Sequence, residues 1–346
     1  MSLGETALRK IADVLAAAGA EVSGPLSAEL IAGGRSNLTY RLTDGEACWV
    51  LRTPPRSGRT PSAHDVAREY RVTAALTRTS VPVPRAVVIC DDDSIIGGPF
   101  AVAEFVSGTT IRTSDELDVL DDDEVTVLTE DLVATLASLH RVDHDAVGLT
   151  GFGRPDGYAG RQLRRWTSQW DLVAPKDVKA RGVTLAVQLA ASVPRQRSTA
   201  IVHGDYRIDN TLVSLAAPGP RVVGVVDWEL STIGDPVADV AMMCAYRHPA
   251  FDLIVGEPSA WTSSRWPSVP DLASCYEKMG GHPLVDWDFH LALAYFKIGV
   301  IAAGIEHRTR AGASTGPGFE SAVDSVAIYM ELGLDALHAT PLERQA

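Results

Sequence analysis

The stretch His203-Gly-Asp-Tyr-Arg-Ile-Asp-Asn210, followed by Val222-Val-Gly-Val-Val-Asp-Trp-Glu229, decides how this chain is read. Each half is built on a β-rich run. Asp205 precedes Asn210 by five positions, and Asp227 lies seventeen beyond Asn210. Phosphoryl transfer needs such a set: a carboxylate to hold and deprotonate an attacking hydroxyl, and oxygen ligands for magnesium on nucleotide phosphates. A hairpin whose acids merely cap turns would explain either half alone, but explains both at this spacing poorly.

Upstream, two glycines in Gly33-Gly-Arg-Ser-Asn37 stand between β-type flanks and read as strand, tight loop and returning strand. Residues 48–52 give a third strand that ends at Arg52, residues 53–61 a polar Pro/Gly loop, and residues 63–76 a helix carrying Glu69. Residues 86–90 and 100–105 read as a hairpin. The pattern then turns helical over residues 128–140, 160–170, 180–191 and most of the chain beyond 235. The expected fold class is α+β: a small antiparallel-sheet lobe over residues 1–105, a hinge at about 104–108, and a larger, mostly helical lobe over 106–346. A helix at 320–337 and a polar tail close the chain.

Composition narrows the partners. Acids outnumber bases, 44 to 31, for a formal net charge of −13. That balance argues against nucleic acid and anionic membranes as main partners, while saying nothing about local basic pockets. The longest apolar run, residues 291–305, is interrupted by Lys297 and reads as too short to cross a bilayer. The first twenty residues lack a basic segment followed by an apolar core, so no signal peptide is expected. Cys48, Cys90, Cys244 and Cys275 form no Cys-x-x-Cys pair, so neither zinc nor disulfides are suggested and a cytoplasmic location is expected.

These motifs resemble the aminoglycoside phosphotransferase family, a branch of the protein-kinase-like fold, over roughly residues 27–310. The pattern His-Gly-Asp-x-x-x-x-Asn stands where protein kinases carry His-Arg-Asp-x-x-x-x-Asn. The resemblance implies a two-lobe kinase-like enzyme that uses Mg2+ and ATP, or GTP. It makes Asp205 the catalytic base, Asn210 a metal ligand, and Asp227 the carboxylate bridging metal to phosphates. It places Gly33, Gly34 and Ser36 in the nucleotide loop and pairs Arg52 with Glu69. It sets the backbone of Glu104 and Val106 at the hinge against adenine. Arg52 departs from the family's usual lysine; arginine keeps the charge and can grip phosphate with two donors. Kinase-like domains associated with acyl-CoA dehydrogenases resemble this chain in carrying Val-Leu-Arg-x-Pro-Pro at this point.

By the resemblance His203 orients the catalytic loop; Asp239 reads as a structural residue facing back toward it, Arg207 and Asp209 as ordering it, and Asp235 as a helix N-cap before Pro236. His140 reads as a cap at the carbonyl end of its helix.

The acceptor is left open. Arg161 and Arg165 share one helix face beside Trp166 and Trp170, and Lys297 interrupts an apolar helix. Each can be a solvated or snorkelling cation; together they can receive an anionic substrate. Aminoglycosides, being polycations, would need clustered acids; the 115–131 stretch could supply some, though it reads most simply as a solvated helix-and-loop surface. A hydroxy acid or its acyl-CoA ester is the other substrate class. The competing function is a nucleotide-binding pseudokinase or scaffold: intact Asp205, Asn210 and Asp227 argue against it, the Arg52 departure for it.

Overall fold

The computed structural model describes residues 3–32, 37–55, 65–312 and 320–338. The chain divides into two compact units. The first comprises Met1–Gly108, Asp145–Leu149 and Val223–Ser231; the second comprises Thr109–His144, Thr150–Val222 and Thr232–Ala346.

The first unit opens with α1 (Glu5–Ala17) and continues through β1 (Ser27–Ala32), β2 (Leu38–Thr43), β3 (Cys48–Thr53), α2 (Val66–Leu76), β4 (Ala86–Cys90), the short α3 (Asp93–Ile96) and β5 (Phe100–Glu104). The five strands form one sheet in the order β1-β2-β3-β5-β4, with every neighbouring pair antiparallel. The core follows from period-2 alternation. Tyr40, Leu42, Trp49, Leu51, Phe100 and Val102 are buried together with Ile11 and Leu15 of α1. Arg52, next to Leu51, therefore leaves β3 on the opposite face, where Glu69 of α2 meets it. Helix α2 starts where Asp65 accepts the Arg68 amide at 2.9 Å. The arginine side chain then ties the helix to the second motif, donating Nε and Nη2 to the Ser231 carbonyl at 3.0 and 2.8 Å.

The second unit is mainly helical. It holds α4 (Ser114–Leu117), α5 (Asp122–His140), α6 (Tyr158–Val173), α7 (Lys179–Ala191), the strands β6 (Ala200–Val202) and β7 (Thr211–Ser214), and the start of β8 (Arg221–Val225). β9 (Thr232–Gly234), α8 (Pro236–Ala245), α9 (Asp252–Val255), α10 (Val269–Lys278), α11 (Trp287–Arg310) and α12 (Ala322–His338) complete it. β6 and β9 pair antiparallel, Ala200 opposite Gly234 and Val202 opposite Thr232. This one pairing launches the catalytic-loop motif after Val202 and sets Asp235 at the head of α8. The approach needs Gly234: a Cβ there would come within 2.8 Å of the Tyr158 ring and 3.1 Å of Val202.

Two readings of the sequence are corrected, and the third, of the acidic run, is sharpened. Helix α5 begins at Asp122, several residues before the expected 128, because Asp121 and Glu124 form a reciprocal capping box. Helix α11 runs 24 residues through Lys297, so it is long and apolar enough to cross a membrane by length and composition. That window is 78% buried inside the protein. The acids of 115–131 do not form an open cluster. Glu116 and Glu124 close capping boxes, Asp118 and Asp122 pair with Arg265, and Asp131 accepts the Val222 amide at 2.6 Å.

Candidate active site

In the first unit the structure brings Arg52, Glu69 and Asp227 together. Arg52 Nη1 lies 3.1 Å from Glu69 Oε2, and its Nη2 lies 3.4 Å from Asp227 Oδ1. Glu69 is only 7% exposed, and its other oxygen accepts from Asn37 Nδ2 at 2.8 Å. Burial pushes its carboxyl up to about 7, Arg52 pulls it down, and the neighbouring Asp227 and Glu229 push it further up. One carboxylate oxygen from each of Glu69, Asp227 and Glu229 lies within 4.8 Å of the others. Carboxylate oxygens are hard donors, the chemistry that suits a divalent cation, and Arg52 engages two of the three, Glu69 and Asp227. Asp227 is held at φ 65°, a left-handed conformation costly for a residue with a Cβ. Such strain persists only where neighbours over-determine it.

At the end of β5, the Glu104 amide donates to the Arg85 carbonyl at 2.9 Å and the Phe105 amide to the Cys48 carbonyl at 3.2 Å. Glu104 also forms an ion pair with Arg85, which holds its carboxyl below the ordinary glutamate value. The half-buried Val106 follows. Gly33, Gly34 and Ser36 lie outside the described residues.

In the second unit, Asp205 and Asn210 meet. Asn210 Nδ2 donates to the Asp205 carbonyl at 2.7 Å and to its Oδ2 at 3.0 Å. Asp205 Oδ1 is buried without a well-aligned hydrogen-bond partner among the described residues. The loop is fixed from below by Asp239, which is 2% exposed. Its Oδ2 accepts the His203 amide at 2.6 Å and its Oδ1 the Gly204 amide at 2.7 Å. Gly204 turns the chain at φ 85°, where a side chain would be strained. His203 Nδ1 accepts the Asp205 amide at 3.3 Å. Arg207 pairs with Asp209 at 2.8 Å, lies 3.6 Å from Asp205 Oδ2, and stacks over Tyr246 and Phe251 at 4.8 and 4.9 Å.

His140 does not cap carbonyls as its position in the sequence suggests. It is buried, with Nε2 at 3.2 Å from Asp239 and Nδ1 at 2.7 Å from the Tyr276 hydroxyl. Burial lowers its pKa below the ordinary histidine value, and Asp239 partly offsets this. The Asp239 carboxyl is held below the ordinary aspartate value; burial pushes it up, but His140 and the His203 amide outweigh that. Asp235 caps α8, accepting the Val237 amide at 3.1 Å. Its pKa is pushed up to about 6 by burial, and Oδ2 lies 3.7 Å from His290 Nε2.

The acceptor candidates separate. Arg161 turns back, donating to the backbone carbonyls of Asp156 and Arg154, and does not join the others. Arg165 lies over the Trp166 ring at 5.3 Å, and Lys297 Nζ lies 5.8 Å from the centre of the same ring. Lys297 does not snorkel to solvent: Nζ donates to the Gly204 carbonyl at 3.1 Å. The sequence reading passed over Asn37 and Glu229. Only Glu229 carried a legible signal, standing two residues beyond Asp227.

Comparison with known proteins shows the family and the fold. The phosphotransferase enzyme family model, APH, matches residues 27–268. Acyl-CoA dehydrogenase family member 10 of Mus musculus is 34% identical over 316 residues, covering 90% of this chain and 29% of that protein. Acyl-CoA dehydrogenase family member 11 of Homo sapiens is 36% identical over 296 residues, covering 84% and 37%. The chain thus spans well under half the length of these relatives. Among solved structures, a candidate aminoglycoside phosphotransferase from Ralstonia eutropha JMP134 is 33% identical, with TM-score 0.79 over 92% of this chain and 94% of that one. The aminoglycoside phosphotransferase APH(4)-Ia, in a complex with AMP-PNP and hygromycin B, is similar in fold, with TM-score 0.61 at 16% identity over 91% and 94%. A family model matched over most of the chain, and a backbone shared with these structures, make the chain a member of the APH phosphotransferase family with its kinase-like fold.

Proposed function

We propose that this protein is a small-molecule kinase that moves the γ-phosphate of ATP to a hydroxyl of its acceptor with the help of Mg2+. The observation that carries this reading is the state of Asp205. One carboxylate oxygen is held by Asn210; the other is buried with no well-aligned donor among the described residues, the Tyr246 hydroxyl lying beside the carboxyl. An orphaned carboxylate oxygen is what an attacking hydroxyl needs. In the step, the acceptor oxygen bonds to the γ-phosphorus as its proton passes to Asp205. The bond from that phosphorus to the bridging oxygen breaks, and the nucleoside diphosphate leaves with the electron pair.

The residues present fit a magnesium–nucleotide. Asp227 and Glu229 supply carboxylate oxygens in the first unit. In the second unit, Asn210, whose amide nitrogen is committed to Asp205, would have its carbonyl oxygen left to offer a cation. When bound, the metal neutralises charge on the phosphate oxygens. Arg52, fixed by Glu69, serves as the cation for the phosphates. GTP would meet the same phosphate-binding groups, so the nucleobase preference is set elsewhere, at the Glu104 and Val106 backbone in this reading.

The acceptor classes are tested by a coupled assay of nucleoside diphosphate release over aminoglycosides, choline-like amines, sugars, hydroxy acids and hydroxyacyl-CoA esters. At least one acceptor is expected to raise release well above the hydrolysis background, and Asp205→Asn to abolish that increment. An increment that survives Asp205→Asn in full would refute the mechanism.

A further inference from the structure

Lys297 is an unusual cation. It sits in mid-α11 between Phe296 and Ile298, which are 0% and 1% exposed. An ammonium has three donors; the Gly204 carbonyl takes one, at 3.1 Å. Burial pulls Lys297 below the ordinary lysine value, Asp205 and Asp239 pull it up, and Arg165 pushes it down. Among the described residues, neither Lys297 nor Arg165 has a carboxylate within the 4.0 Å of an ion pair. Both nonetheless lie against one indole ring, at 5.8 and 5.3 Å from its centre. The indole N–H is already committed to Gln162 Oε1 at 3.2 Å. Two like charges gathered on one aromatic plate repel each other, and a half-buried ammonium without a counter-ion is costly. The missing partner is an anion. The lysine also grips the residue immediately before Asp205, so an anion held here lies beside the loop that carries the base.

We propose that Arg165, Trp166 and Lys297 form an acceptor subsite that takes hydroxyl compounds bearing an anionic group, a carboxylate or a phosphate. The inference rests on the kinase reading only for the use of the bound hydroxyl; anion binding itself is independent of transfer. The guanidinium forks the anion, the ammonium supplies its free donors, and the indole face covers the apolar part of the acceptor. The subsite turns away polycationic acceptors, because it presents to them two positive charges that no carboxylate among the described residues pairs within 4.0 Å.

The test labels the protein with 5-fluorotryptophan and assigns the Trp166 resonance in the 19F spectrum by its loss in Trp166→Phe. The resonance is followed while 3-hydroxybutyrate, glycerol 3-phosphate, glycerol or choline is added. Both anions are expected to shift it saturably, and the tighter of the two identifies carboxylate or phosphate as the source. Arg165→Glu, a change at an exposed position, is expected to weaken the anion response by about tenfold or more. Lys297→Met is expected to weaken it likewise. Arg164→Glu, the same charge change on an exposed neighbour, is expected to leave it unaltered. The same split is expected in transfer: Arg165→Glu raises KM for anionic acceptors more than it lowers kcat. The proposal is overturned if neither anion shifts Trp166, if glycerol or choline shifts it equally, or if Arg164→Glu weakens the response as much as Arg165→Glu. An anion response that persists in Asp205→Asn, with transfer lost, supports the subsite and the base separately. An anion response in a protein that transfers to no acceptor supports the subsite while removing the kinase reading.

Discussion

The two halves of the candidate machinery are held in opposite ways. In the first unit, Glu69, Asp227 and Glu229 crowd their charges together, and Arg52 is the cation that bridges two of them. In the second, Asp205 is placed through hydrogen bonds: Asp239 holds the backbone of His203 and Gly204, and Asn210 holds the carboxylate itself. The first arrangement stores repulsion that a cation relieves. The second fixes geometry that a proton transfer needs. Charge-neutral substitutions should therefore separate them.

Asp239→Ala strikes the geometric half hardest. It removes a buried carboxylate on which two backbone amides and His140 depend, and should cost about 3–5 kcal/mol in unfolding free energy. Chemical denaturation measures this; a change within 0.5 kcal/mol, the usual range for surface substitutions, would break the account of the loop. Asp227→Asn does the reverse in the other half. Magnesium–nucleotide affinity should fall on the order of 10–100-fold by calorimetric titration. Stability should rise slightly, since one charge pressing on Glu69 is gone.

Acid sharpens the contrast next. The His140 pKa is lowered in the fold, so between that lowered value and the ordinary value near 6.5 the unfolded chain binds the extra proton. Stability from this group is complete above about 6.5 and is lost as pH falls below it. Asp239 is lowered too and adds a second loss below its ordinary value of 3.8. Glu69 and Asp235, raised to about 7 and about 6, act in the opposite sense, so the readout is the difference between proteins: the melting temperature of His140→Gln should fall less below about pH 6.5 than that of the wild type. An unchanged acid limb in the variant would remove His140 from the account. Arg52→Lys is expected to have the smallest effect, because the positive charge toward Glu69 and Asp227 stays. A larger loss of nucleotide affinity would show that two-pronged contact by the arginine is required.

How much of this was legible depended on the range of each interaction. Local patterns were readable: the alternation that buries Trp49 and Leu51 turns Arg52 to the other face, and Asp235 before Pro236 announces a helix start. The motif spacing from Asp205 to Asn210 was readable because both lie on one short loop. What the sequence hid was set by partners far along the chain. His140 looked like a helix end until Asp239, 99 positions away, was seen to hold it. Lys297 looked like a surface lysine until Gly204, 93 positions away, was seen to receive it. The acidic run of 115–131 was legible as a helix-and-loop surface, but its capping boxes and the distant Arg265 were not.

The division of labour between charge and geometry is tested most directly by single-turnover phosphoryl transfer in Asp205→Asn preloaded with Mg-ATP. The variant should load nucleotide like the wild type, because the phosphate-side cluster of Arg52, Glu69 and Asp227 is untouched. Its transfer rate to the best acceptor should fall on the order of 10²–10⁴-fold. Transfer at the wild-type rate would contradict the assignment of Asp205 as the base.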